Sequence, residues 1–148
     1  MVNRFVVMFF YMFNGGEMNV DFLVEYPEAD LSSRVILAAI EVHRHLGPGL
    51  LESAYSACLC RELETLGIVF DRERALPVTY KGLGLDCGYR MDLVVEDRLV
   101  LELKCADKIL PIHEAQLLTY LKLSGIKAGL ILNFNCKLMK DGIKRMVA

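Results

Sequence analysis

No Cys-x-x-Cys pair, no phosphate-binding glycine loop and no apolar run long enough to cross a bilayer occur in this 148-residue chain. Each absence narrows what the protein can do. The five cysteines, Cys58, Cys60, Cys87, Cys105 and Cys136, are odd in number. Cys58 and Cys60 would point about 200° apart on a helix, a poor half-site for zinc, so the thiols read as reduced and the compartment as cytoplasmic. Gly82-Leu83-Gly84 lacks a third glycine and a following helix, which excludes a nucleotide cradle of that kind. The run Phe5 to Phe13 is shorter than the roughly 20 residues a membrane span requires. It has the length of a signal-peptide core but no small-residue cleavage site. An extension outside the fold is expected there, with Met18 as the true start and no stable membrane association. A net charge of −2 excludes a protein that coats nucleic acid by bulk charge. The basic end is the C-terminal one, where Lys127, Lys137, Lys140, Lys144 and Arg145 face only Asp141.

What is present fits one domain over residues 31–148, preceded by the extension 1–30. Ser32 or Ser33 is expected to cap a helix that runs to Leu46 and stops at Gly47; a second helix follows from Leu50 to Leu66. Extended segments are expected at Ile68–Phe70 and Leu76–Tyr80, separated by the charged Asp71-Arg72-Glu73-Arg74, with Lys81–Gly84 as a turn. Beyond Lys104, Pro111 starts a helix that Gly125 ends after Ser124. The apolar Ala128–Phe134 reads as a buried strand, parallel to its neighbour because a crossover helix precedes it. Leu138–Val147 closes the chain as a short strand or helix. The pattern is an α/β fold with a mixed β-sheet flanked by α-helices.

The stretch from Gly88 to Lys104 organises the rest. It reads as two strands, Met91–Val95 and Leu99–Lys104, around the turn Glu96-Asp97-Arg98. A hairpin symmetric about Asp97 sets Asp92 opposite Glu102, with Lys104 on the same face because side chains repeat every second residue. The other face is continuously apolar. Two carboxylates held roughly 5 Å apart at Cβ repel unless a cation, a proton or the lysine compensates. A solvated face would produce the same letters; a divalent-metal site is the sharper reading.

Other groups stand near it in the pattern. Glu52 and Tyr55, three apart, share a helix face; Tyr55 also lies on the inward apolar stripe, which brings Glu52 to the core edge, where it reads either as a helix-dipole acid or as a further ligand. His113, Gln116 and Tyr120 fall on one face of the helix after the second strand, suited to placing phosphate and water, or to ordinary hydrogen bonding at a core edge. His43 and His45 diverge on their helix and read as C-terminal capping groups, not as a zinc pair. No serine or cysteine has a base at a catalytic spacing.

These residues resemble the GxxExxY protein family of the PD-(D/E)xK nuclease-like superfamily. The likeness runs through Leu46-Gly47-Pro48-Gly49-Leu50-Leu51-Glu52 with Tyr55, Tyr80-Lys81-Gly82, Gly88-Tyr89-Arg90, Asp92, Glu102-Leu103-Lys104, Gln116 with Tyr120, and Gly142-Ile143-Lys144-Arg145. Met91 stands where the superfamily name has proline. The resemblance implies a restriction-endonuclease-like core in which Asp92, Glu102 and Glu52 hold Mg²⁺ or Mn²⁺, the Leu103 carbonyl adds a ligand and Lys104 is the catalytic lysine. Gln116 and Tyr120 correspond to the QxxxY helix of RecB-like nucleases. Tyr55, His113, Lys140, Lys144 and Arg145 are the expected substrate contacts. The implied activity is hydrolysis of nucleic acid, DNA foremost, by metal-activated water. A non-catalytic binding module on the same fold, acting as a homo-oligomer or assembly subunit, is the alternative.

Overall fold

Period-2 alternation either side of Asp97 sets the centre of the molecule. The computed structural model describes residues 26–86 and 88–148. They run α1 (Ala29–Leu46), α2 (Glu52–Thr65), β1 (Phe70–Ala75), β2 (Val78–Tyr80), β3 (Leu83–Leu85), β4 (Arg90–Val95), β5 (Leu99–Lys104), α3 (Pro111–Ser124), β6 (Ala128–Asn133), a 3₁₀ turn (Met139–Gly142) and β7 (Ile143–Val147). The main sheet has the order β1-β4-β5-β6-β7, and β2 and β3 form a separate ribbon. β4 and β5 pair in the register expected of a hairpin centred on Asp97, with Leu93 opposite Leu101 and Val95 opposite Leu99. β6 lies parallel to β5, as the α3 crossover requires, while β1 and β7 close the edges antiparallel. Three helices on a mixed five-stranded sheet make the α/β, restriction-endonuclease-like arrangement anticipated from the sequence.

The sheet divides the core in two. Leu93, Leu99, Leu101, Leu103, Leu130 and Leu132 pack beneath α1 and α2 with Val35, Leu59 and Leu63. Val94, Val100 and Ile131 pack on the other face against Leu117, Tyr120 and Leu121 of α3. Even-numbered β5 positions thus face α3, and the hydrophobic layer stops where Glu102 and Lys104 take over. Met91 departs from strict alternation and joins Leu76 on the α3 side.

Several boundaries differ from the sequence reading. α1 begins at Ala29, so Ser32 and Ser33 lie inside it and return their hydroxyls to the Ala29 carbonyl at 3.0 and 2.8 Å. The expected domain start at Leu31 falls within a helix. Tyr26 already belongs to the core, its hydroxyl donating to the Gly129 carbonyl at 2.8 Å. Asp71–Arg74 is strand and not a separator, because an edge strand can leave its charges in water. Only Lys81 and Gly82 form the tight turn, and Leu83–Leu85 pairs back along β2. Of the expected extension 1–30, residues 1–25 lie outside the described residues.

Candidate active site

The β4–β5 ladder ends at Leu93–Leu101. One step beyond, in the same register, Asp92 lies opposite Glu102. Its side chain takes over where the backbone ladder stops: Oδ2 accepts the Leu103 N–H at 2.8 Å. Burial pushes the Asp92 carboxyl above its ordinary range, while the Leu103 hydrogen bond and the Lys104 charge pull it back. The Leu103 side chain is sunk in the α1–α2 core.

Glu102 is 3% exposed. Its Oε1 accepts from Lys104 Nζ at 3.2 Å, whereas Oε2 is buried with no hydrogen-bond partner. Burial, reinforced by the Asp92 charge, pushes its pKa up to about 7 despite the neighbouring Lys104. A buried carboxylate with an orphaned oxygen is costly, and a bound cation removes that cost. The donors here are hard oxygens, which suit Mg²⁺ or Mn²⁺. Among the described residues, no group of three or more His, Cys, Asp or Glu side chains stands ready to hold an ion. The set fits an ion that is bound through one or two carboxylates and otherwise keeps water, the habit of Mg²⁺.

Lys104 links the carboxylates to α3. Its Nζ also donates to Gln116 Oε1 at 3.4 Å, and Gln116 Nε2 donates to the Tyr120 hydroxyl at 2.9 Å. Because Gln116 and Tyr120 are four apart, one helix face carries the whole relay. Tyr120 is buried, so it orients Gln116, whose amide bridges Tyr120 and Lys104. Glu52, at the start of α2, is exposed, with its carboxyl close enough to Asp92, Lys104 and the Cys105 backbone to feel their charges. There, partial burial and Asp92 raise its pKa, and Lys104 and His113 oppose them. His113 Nδ1 accepts the Leu110 N–H at 3.1 Å and thereby caps α3 while bordering the site.

One residue expected as a substrate contact lies in the core. Tyr55 is fully buried, stacked on Phe134 with ring centroids 4.5 Å apart. Its hydroxyl donates to the Gly47 carbonyl and accepts the Leu50 N–H at 3.2 Å, locking the corner between α1 and α2. It positions the helix that carries Glu52. The three basic residues do not form one surface. Lys144 is ion-paired with Glu114 of α3, while Arg145, its neighbour in β7, lies over the Tyr26 ring on the other face at 5.7 Å. Lys140 is exposed on the 3₁₀ turn.

Two residues escaped the sequence reading. Glu73 continues the β1 register opposite Asp92, yet has a left-handed backbone at φ 47° and drops out of the ladder. Read as loop, it gave no strand signal. Asn133 is buried at the end of β6 and clamps the loop after Lys104, with Oδ1 accepting the Ala106 N–H at 3.1 Å and Nδ2 donating to its carbonyl at 2.8 Å. The parallel register Lys104–Asn133 puts it there.

Residues 29–146 match the model of the PD-(D/E)XK nuclease superfamily. No curated protein and no solved structure matches the chain.

Proposed function

This chain belongs to the PD-(D/E)XK nuclease superfamily, and on that premise we propose that it is a Mg²⁺- or Mn²⁺-dependent nuclease of the GxxExxY type that hydrolyses phosphodiester bonds, DNA foremost, in the cytoplasm. The observation that carries the reading is Glu102 Oε2, buried and unpartnered beside Asp92 and held in place by Lys104. When bound, a divalent cation would acidify water and offset charge on the phosphate. Asp92 and Glu102 are the residues to hold it, with Glu52 at the margin and the Leu103 main chain adjoining Asp92.

The other side chains have roles that follow from their partners. Lys104 presents an ammonium group at the edge of the carboxylates, where it steadies a water and the non-bridging oxygens of the phosphate. Gln116, fixed by Tyr120, limits where that ammonium can point. With Nδ1 engaged at the helix start, Nε2 is the ring nitrogen by which His113 would meet substrate.

The test is cleavage of labelled single- and double-stranded DNA and RNA with Mg²⁺ or Mn²⁺, alongside Glu102→Ala and Lys104→Ala. Metal-dependent cutting is expected in the wild type, with rates falling on the order of 10²–10³-fold or more in each variant. Wild type and variants equally inert, with no Mg²⁺ binding by the wild type, would leave the fold as a non-catalytic binding module.

A further inference from the structure

The chain leaves the main sheet between β1 and β4 to build the β2–β3 ribbon. β1 ends at Ala75 and β4 resumes opposite it at Arg90, two residues before Asp92. The ribbon therefore springs from the end of the sheet that carries the carboxylates, its root fixed by the Leu76 N–H donating to the Tyr89 carbonyl at 2.8 Å. It is hydrogen-bonded as a sheet of its own.

Its composition is not explained by folding. Cross-strand partners share a face, so Val78, Tyr80, Leu83 and Leu85 form one apolar side, with Thr79 and Gly84 on the other. Towards the tip that side is not turned into the core: Tyr80 is 60% and Leu83 63% exposed, and Tyr89 at the root is 49% exposed, whereas Val78 at the ribbon's base is half-buried. At the tip, Lys81 and Gly82 both have positive φ, 47° and 82°, the two-residue hairpin turn that asparagine and glycine make most easily. A lysine held left-handed is strained, and its ammonium stands 5.4 Å over the Tyr80 ring without serving any core contact. From Ala75 to Leu85, Lys81 is the one charged residue. Arg90 adds a second exposed cation at the root.

We propose that this ribbon is the docking arm for the substrate strand, gripping an unpaired stretch of nucleic acid. Tyr80, flanked by Leu83, receives base faces; Lys81 and Arg90 meet the phosphates that lead towards Asp92 and Glu102. Unpaired bases fit because an open aromatic and aliphatic face stacks on any base without reading its edges, while the cations match a polyanion. The proposal rests on the nuclease reading for the class of polymer and adds its preference for single-stranded segments.

The experiment is fluorescence anisotropy of a labelled 20-nucleotide oligo-dT (about 20, long enough to span an OB-type site) and of a duplex of equal length. It is run on the full chain in EDTA, with Mg²⁺ cleavage of the same probes in parallel. Tyr80→Ala is expected to weaken oligo-dT binding roughly tenfold or more. Tyr80→Phe retains binding, and Lys81→Ala lowers the dependence of log affinity on log salt by about 0.7. Equal losses on duplex would overturn the single-strand assignment. Wild-type cutting with unchanged affinity in all variants overturns the ribbon's role and leaves the nuclease reading intact. Tyr80-dependent binding without cutting supports the arm and removes the catalysis. No binding of either probe by wild type overturns both, and a Tyr80-dependent dimer with unchanged oligo-dT affinity makes the ribbon an interface between copies.

Discussion

At the level of single residues, the most informative group is Glu102. Its folded pKa of about 7 exceeds the ordinary value of 4.5. Between those values the folded protein holds a proton that the unfolded chain has released. This group's contribution to stability is therefore full below about pH 4.5 and lost as pH rises through about 7. The displacement corresponds to on the order of 3 kcal/mol. In EDTA at pH 8, Glu102→Gln is expected to be more stable than wild type by about 1–3 kcal/mol, a melting temperature higher by roughly 3–10 °C. At pH 5 the difference should shrink to about a quarter of that. Melting curves at the two pH values decide it; a variant less stable at pH 8 would mean that the carboxylate is not burdened by burial. Asp92, Glu102 and Lys104 were legible in the sequence because period 2 fixes a strand's faces from the letters alone. Tyr55 carried two readings, an inward position on the apolar stripe and a substrate contact, because two residues three apart on a helix differ by only about 60° in direction. That angle is enough to set Tyr55 in the core while Glu52 stays exposed beside the carboxylates.

Among the elements, those with a strong apolar period were readable and those at edges were not. α3, β5 and β6, and the parallel pairing between the last two, followed from Pro111, Gly125 and the buried run after it. β1 carries four consecutive charges and was hidden by them, because an edge strand owes its existence to the neighbour it pairs with and not to its own hydrophobicity. The same dependence on tertiary context governs the C-terminal glycines. A Cβ at Gly142 would stand 2.0 Å from the Asn133 carbonyl oxygen and 2.9 Å from Cys136 Sγ, where the backbone cannot step aside. At Gly129 the obstacle is the buried Leu117 side chain, its methyls at 2.9 and 3.1 Å and its Cγ at 3.2 Å, which can shift more readily than backbone. Gly142→Ala is thus expected to cost about 3 kcal/mol or more and Gly129→Ala about 1–2 kcal/mol, read from urea midpoints at constant m-value. Because Asn133 also clamps Ala106 beside the site, Gly142→Ala should weaken Mg²⁺ binding as well. Equal midpoints for the two variants would show that the 3₁₀ turn yields more easily than its contacts imply.

For the molecule as a whole, the fold gathers its unfavourable electrostatics into one place. Asp92, Glu102 and Glu52 raise one another's pKa values or are raised by burial, while Lys104 is the cation that opposes all three. Residue spacing alone does not carry that coupling, which came from the family resemblance, since Glu52 arrives from a separate helical hairpin whose corner is set by the Tyr55 hydroxyl. Linkage turns the concentration of charge into a property of the entire chain. A cation that binds the folded state alone stabilises it by about 2.7 kcal/mol at a hundred times its dissociation constant. Ordinary helix and sheet contacts elsewhere would not respond to it. Since Glu102 must lose its proton first, the apparent affinity should fall towards tenfold per pH unit below about 7, and the Mg²⁺-induced rise in melting temperature should be larger at pH 8 than at pH 6. Glu102→Gln should show little rise at either pH. A Mg²⁺ effect of equal size at both pH values, or one preserved in Glu102→Gln, would place the ion somewhere other than at the orphaned oxygen, and the basis for a metal-dependent nuclease at this site would go with it.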